Sequence, residues 1–437
     1  MNPDVIVVGG GIGGLATAYA LTREGLRVRL LERAPAFGEV GAGLQIAPNC
    51  TRILDEFGLL EEVKRLGVLP DDLIMFDGVG EHQQGTEVTR LDLRDLERRY
   101  GFPYVVIHRS DLHGTFLRAC EQAGVELVNS ATAVDYETGP AEATVVLEDG
   151  GRHTAPVIIA AEGILSPARD KFVGDEPVSS SYVAYRGAIS MEDARENHIH
   201  EKAIALYLGN NCHFVQYGLR GGEMFNQVAV FESPKALAGD PDWGTPDELD
   251  AAFADTVGDV QDGLRFMWRD RWWRMYDRES TPQWVFGRVA LLGDSAHAPL
   301  QYIAQGAIMA IEDGWVLAKH VARNRSADGG VDWDTALAAY QAVRTRHTAR
   351  VQATSRAWGV LWHHVGEKRD QRNTILGARD VYDYSFVDWL YGPTALTPEE
   401  EPPMFTPIPL ASADTVRTAS MASMAAVPAT SAIRDSH

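Results

Sequence analysis

Gly9, Gly11 and Gly14 stand at G-x-G-x-x-G spacing, directly after an apolar, β-branched run at 4–8. In that arrangement the first glycine permits a tight turn and the second lets backbone approach a pyrophosphate. The third lets a helix lie close on a sheet. Residues 15–25 have helical spacing, with Leu15, Ala18, Tyr19 and Leu21 on one side and Thr22, Arg23 and Glu24 on the other. The N-terminus of such a helix offers unpaired N–H groups and partial positive charge to a phosphate. A second apolar strand at 26–31 ends at Glu32, whose carboxylate is placed to accept hydrogen bonds from a ribose diol. An acid there argues against a 2′-phosphate, so the pattern points to FAD or NAD rather than NADP. The glycines alone have a plainer reading as a structural turn. Strand, turn, helix, strand and acid together point to a dinucleotide.

A second cradle lies far along the chain. Residues 285–292 read as a buried strand, followed by Gly293-Asp294 and Pro299, and Gln305-Gly306-Ala307 opens a helix running to about Val321. An Asp at a strand end and a glycine-initiated helix suit an anionic or carbonyl-bearing group. The glycine-rich segment 33–45, with Gly38, Gly41 and Gly43, reads as a loop passing closely over a flat ligand.

His213 and Tyr217 share one face of an expected strand at 213–217. Imidazole titrates near neutrality and suits a base, although a lone strand histidine is more commonly structural. His297 is read as structural. The neighbours His363 and His364 diverge on a helix with no cysteine or further histidine beside them, so no metal cluster is expected. Arg109 precedes an expected helix at 111–123, capped by Ser110 and ended by Gly124. A surface ion pair is its plainer reading.

These residues need an α/β scaffold. The pattern gives a Rossmann-like dinucleotide-binding domain at 1–70, 101–177 and 281–330, with an antiparallel β-sheet domain inserted at 71–100 and 178–280. Its strands are expected near 183–185, 203–208, 213–217 and 227–231. Helices are expected at 48–60, 245–265 and 334–364, a packing corner at 268–274, and a helical region at 331–396. Residues 397–437, rich in Pro, Ala, Ser and Thr, read as a disordered tail. Net charge is −21, from 40 basic and 61 acidic side chains, which disfavours nucleic acid and leaves no basic patch for acidic lipid. Cys50, Cys120 and Cys212 form no C-x-x-C and read as buried thiols of a cytoplasmic protein. No stretch of about 20 apolar residues suggests a membrane span. A strand starting at residue 4 leaves no room for a signal peptide ahead of it.

Over roughly residues 3–395 the sequence resembles the single-component FAD-dependent aromatic hydroxylases, the group that includes para-hydroxybenzoate and salicylate hydroxylases. The resemblance implies that Gly9, Gly11, Gly14 and Glu32 hold the adenosine and pyrophosphate of FAD. It implies that Gly163, Ser166 and Arg169 form a second motif, near the pyrophosphate and used also by the nicotinamide cofactor. Asp294, with Pro299 and Gly306, then takes the ribityl chain. Arg33, Gln45, Arg109, Ala133 and Ala307 complete the implied cofactor set, Ala133 passing the adenine. The second motif departs from the family pattern, with Glu162 where an Asp is usual.

Segments 37–45, 108–112, 212–216 and 299–313 resemble the branch that converts 3-hydroxybenzoate to 2,5-dihydroxybenzoate (gentisate) with NADH and O₂ through a flavin C4a-hydroperoxide. On that resemblance FAD is held tightly and NADH meets it transiently, which agrees with a single G-x-G-x-x-G. His213 would be the base that makes the phenol nucleophilic, Gln301 would hold the same hydroxyl, and Tyr217 would bind substrate. The acidic protein must capture its aromatic acid through a local site. The resemblance also implies a homodimer. Alternatives are a salicylate 1-hydroxylase, which releases CO₂ and gives catechol, and a non-catalytic escort protein on the same scaffold.

Overall fold

Val5–Val8 is buried along its length at the centre of a six-stranded sheet. Its neighbours are Val157–Ala160 on one side and Val28–Leu31 on the other, both parallel to it. Val289–Leu291 and Glu126–Val128 continue the sheet outward, and the short strand Val285–Phe286 closes one edge antiparallel. Strands covered on both faces need no polar alternation, which is why these read as continuous apolar runs. The helices Ile12–Arg23, Arg109–Ala123 and Gly306–Arg323 pack around this sheet and its glycine turn. These relations come from a computed structural model that describes residues 2–401 except 39, 40, 42, 198 and 328.

A second sheet has seven strands, in the order Trp273–Asp277, Val178–Ser190, Met224–Glu232, Cys212–Leu219, Ala203–Leu208, Asp72–Asp77 and Thr86–Asp92. All pairs are antiparallel except Ala203–Leu208 with Asp72–Asp77. One face packs on the short helices Pro246–Ala252 and Gly258–Leu264 through Phe214, Phe231 and Tyr185. The other face meets the 30-residue helix Trp333–Trp362 through Leu208, Val230 and Ala184. A ribbon of Gly43–Ile46 and Val105–His108 and a three-stranded sheet at 133–155 complete the scaffold. No helix among the described residues is long and apolar enough to cross a membrane. The three cysteines are free and buried.

Several local expectations are corrected. The helix expected at 48–60 is two helices, Pro48–Glu56 and Leu60–Leu66, because Gly58 takes φ +74° between them. Residues 245–265 likewise form two short helices. His108, not Ser110, caps Arg109–Ala123, its ring nitrogen accepting from the Ser110 N–H, so Arg109 lies in the first turn. Residues 285–292 bend into a hairpin at Gly287, φ +61°. Within the loop expected at 33–45, Gly43 begins a strand. Trp273, in the expected corner, starts an edge strand. Glu401 pairs with His347 at 3.1 Å, so the start of the expected tail is packed; 402–437 lie outside the described residues.

Candidate active site

Two glycines of the first motif have no room for a side chain. A Cβ on Gly9, which takes φ +109°, would lie 2.2 Å from the Ala161 carbonyl oxygen, and one on Gly14 would lie 1.9 Å from the Gly9 carbonyl oxygen. Gly11 is the N-cap of the following helix and provides no side-chain cap, so the helix N–H groups are left for a ligand. The Gly10 N–H donates to Glu32 Oε2 at 2.6 Å and the Ala34 N–H donates to Oε1 at 2.8 Å. Glu32 therefore fixes the turn while facing the cavity.

The second cradle is held from behind by buried charge. Asp313 accepts from the Gly293 N–H at 2.9 Å, from His297 at 2.6 Å and from Arg344 Nε at 2.7 Å. Burial pushes the Asp313 carboxyl up, but the facing His297 and Arg344 charges outweigh it and hold the pKa at about 2. Arg344 also pairs with Glu312 at 2.9 Å, and Asn49 bridges Glu312 to Gln305, the residue before the Gly306 helix. His297 is thus structural, as expected. Arg169 of the second motif donates to the carbonyls of Ser295 and Ala296 and pairs with Asp175, tying the two motifs together. Glu162 accepts from the hydroxyls of Tyr136 and Ser166, and burial raises its pKa. The extra methylene over Asp is thereby absorbed within the motif.

A cavity of about 1820 Å³ joins the two cradles to the seven-stranded sheet. Gly9, Gly11, Glu32, Arg33 and Ala133 line it. Asp294, Pro299, Gly306 and Ala307 line it as well, as do Gln45 and Arg109. Gly14 is set back beneath the turn. The glycine loop makes room for protein as well as ligand. A Cβ on Gly41 would lie 2.7 Å from Arg109 Cδ, and one on Gly43 would lie 2.3 Å from the Tyr217 ring.

His213, Tyr217 and Gln301 line the same cavity. Tyr217 is buried, donates its hydroxyl to the Gly43 carbonyl at 3.1 Å, and has its pKa pushed up to about 12 by burial. Gln301 is exposed at the cavity wall, on the short turn Gln301–Ile303. His213 is 1% exposed, and burial lowers its pKa to about 3, so it is neutral at ordinary pH. Its Nδ1 lies 2.8 Å from Nε2 of His363, a residue set aside in the sequence. No spacing rule relates them, because they meet only when the helix Trp333–Trp362 crosses the sheet and delivers His363 at its C-cap. The charged cluster of Glu312, Asp313 and Arg344 was also missed, since a buried ion pair looks like surface charge until the helices pack. Among the described residues no cluster of His, Cys, Asp or Glu is arranged to hold a metal.

The donor set fits FAD. Two glycines admit only close backbone, two helix N-termini lack side-chain caps, and an acid stands at each cradle. A family model described as "FAD binding domain" matches residues 2–355, and the chain belongs to that family. The fold and site define a flavoprotein aromatic monooxygenase. The chain is 37% identical over 391 residues to 3-hydroxybenzoate 6-hydroxylase of Polaromonas naphthalenivorans strain CJ2, across 89% of this chain and 95% of that protein. It is 37% identical over 400 residues to 3-hydroxybenzoate 6-hydroxylase 1 of Aquipseudomonas alcaligenes, across 90% and 98%. A salicylate hydroxylase substrate complex superposes with TM-score 0.71 and 26% identity, across 89% of this chain and 95% of that one.

Proposed function

We propose that this enzyme hydroxylates 3-hydroxybenzoate para to its hydroxyl: 3-hydroxybenzoate + NADH + H⁺ + O₂ → 2,5-dihydroxybenzoate + NAD⁺ + H₂O. The observation that carries the reading is that His213, Gln301 and Tyr217 line one cavity together with the residues of the two cofactor cradles. The names of the two 3-hydroxybenzoate 6-hydroxylase relatives supply the substrate. FAD, when bound and reduced, would supply the activation of O₂, from which the ring takes its new oxygen atom.

The protein's part is to hold the ring and make it nucleophilic. Removing the phenol proton drives electron density to the ortho and para carbons. Where Nδ1 of His213 carries the proton it shares with His363 Nε2, its Nε2 is left to accept the phenol proton. Gln301, which lines the same cavity, holds the same hydroxyl, and Tyr217 binds the substrate. At the cofactor, Gly9, Gly11 and Gly14 admit the pyrophosphate, Glu32 the adenosine ribose and Asp294 the ribityl chain. Arg33, Gln45, Arg109, Ala133, Pro299, Gly306 and Ala307 line the remaining length. The uncapped N-terminus of the Gly306 helix would offer partial positive charge to the flavin ring.

A panel of the three hydroxybenzoate isomers, followed for NADH oxidation and product identity, tests this reading. Gentisate from the 3-isomer is expected. Catechol from the 2-isomer as the preferred product would overturn it.

A further inference from the structure

Arg186 is the one charged residue in an otherwise uncharged row across the floor of the cavity. Strand register aligns Arg186 with Val228, Val228 with Val215, Val215 with Leu206, and Leu206 with Met75. All five side chains line the cavity. The guanidinium makes no ion pair or hydrogen bond among the described residues; its Nε is sealed from solvent without a partner, and its Cζ lies 5.1 Å from the Trp273 ring centroid. Burial lowers the Arg186 pKa, against a smaller raising effect of Tyr217, and nearby Arg109 disfavours the charge further. A buried cation without an anion is costly. A chain of net charge −21 has many carboxylates to pair with it, and among the described residues none does.

We propose that Arg186 binds the carboxylate of the aromatic substrate. This deepens the reading above and rests on it. His213 lies on the same face, two residues along the strand from Val215. Arg186 is two strands from Val215, which places the two residues about 10 Å apart across the sheet and about 7 Å along it. An acceptor and a cation thus face each other over an apolar strip, a layout suited to a benzene ring carrying a hydroxyl at one end and a carboxylate at the other. A planar fork pairs with a carboxylate through two parallel hydrogen bonds in a water-poor site. The same oxyanion chemistry occurs in the phosphates of NADH. The strip between Arg186 and His213 favours the substrate, because it is apolar and has no second cation in its row.

The test uses FAD-loaded full-length enzyme with Arg186→Met and Arg186→Lys. Binding of 3-hydroxybenzoate and of neutral 3-hydroxybenzamide is read from the flavin spectrum, beside KM for NADH. Arg186→Met should weaken the acid by about 50-fold or more and the amide by less than about threefold, leaving KM for NADH unchanged. Arg186→Lys should fall between Met and wild type for the acid. An undiminished preference for acid over amide in Arg186→Met would overturn the assignment. So would a raised KM for NADH with acid binding intact, which would assign the guanidinium to phosphate, or loss of FAD from both variants, which would make it structural. Wild type that makes no gentisate would remove the proposed reaction without touching this result, since binding is read on oxidised enzyme.

Discussion

Nδ1 of His213 and Nε2 of His363 lie 2.8 Å apart in a pair sealed from solvent by Tyr302, Trp362 and the stacked ring of Tyr182. Burial lowers both pKa values, and at His363 the positive charge of a protonated His213 lowers it further. A neutral pair shares one proton along that line. Whichever ring donates decides whether the cavity-facing nitrogen of His213 accepts or donates.

Replacing His363 tests this directly. His363→Phe keeps the ring and removes the acceptor, so His213 loses its fixed tautomer. Hydroxylation kcat should fall by about 10- to 100-fold with FAD content unchanged. His363→Asn, whose amide oxygen accepts, should restore part of it. A purely structural role would lower Tm in both variants without this split in kcat.

The same pair gives the fold a pH dependence with a definite sign. His213 binds a proton near its ordinary 6.5 when unfolded and only at about 3 when folded. Between those values the unfolded chain holds more protons, so stability is whole above pH 6.5 and falls as pH drops toward 3. Tm should decline across that window. The decline should be shallower in the double variant His213→Asn, His363→Asn.

Asp313 predicts a second effect, on the cofactor. Asp313→Asn removes one of two carboxylates facing buried Arg344 and one partner of His297. Stability should fall by about 3–5 kcal/mol, and FAD should be lost because the Gly293 turn is no longer anchored. The ratio of flavin to protein absorbance, with Tm, checks both. The low carboxyl pKa, about 2, means that this contribution is present above about pH 3.8 and lost as pH falls through 2.

Gly14→Ala puts a methyl group 1.9 Å from the Gly9 carbonyl oxygen, between the turn and its helix. Backbone must move, so destabilisation of about 3 kcal/mol or more and colourless protein are expected. Yellow protein of normal Tm would contradict the close approach.

How much of this was legible depended on chain distance. The strand, glycine turn and helix at 5–23 were readable because their constraints are local and period-coded. Gly293-Asp294 and Gly306 were readable for the same reason. Glycine loops were only half read: Gly41 and Gly43 yield space to Arg109 and Tyr217, which arrive from other elements. His363, Arg186 and the Asp313–Arg344 pair lay beyond reach because their roles come from register and helix crossing. A single strand or helix carries no trace of either.

The most direct measurement is the ratio of gentisate formed to NADH oxidised with 3-hydroxybenzoate, in wild type and in His213→Ala. Wild type should give equimolar gentisate. The variant should keep FAD and oxidise NADH, with hydrogen peroxide replacing gentisate. Undiminished gentisate from His213→Ala, or wild type that yields only peroxide, would contradict the account.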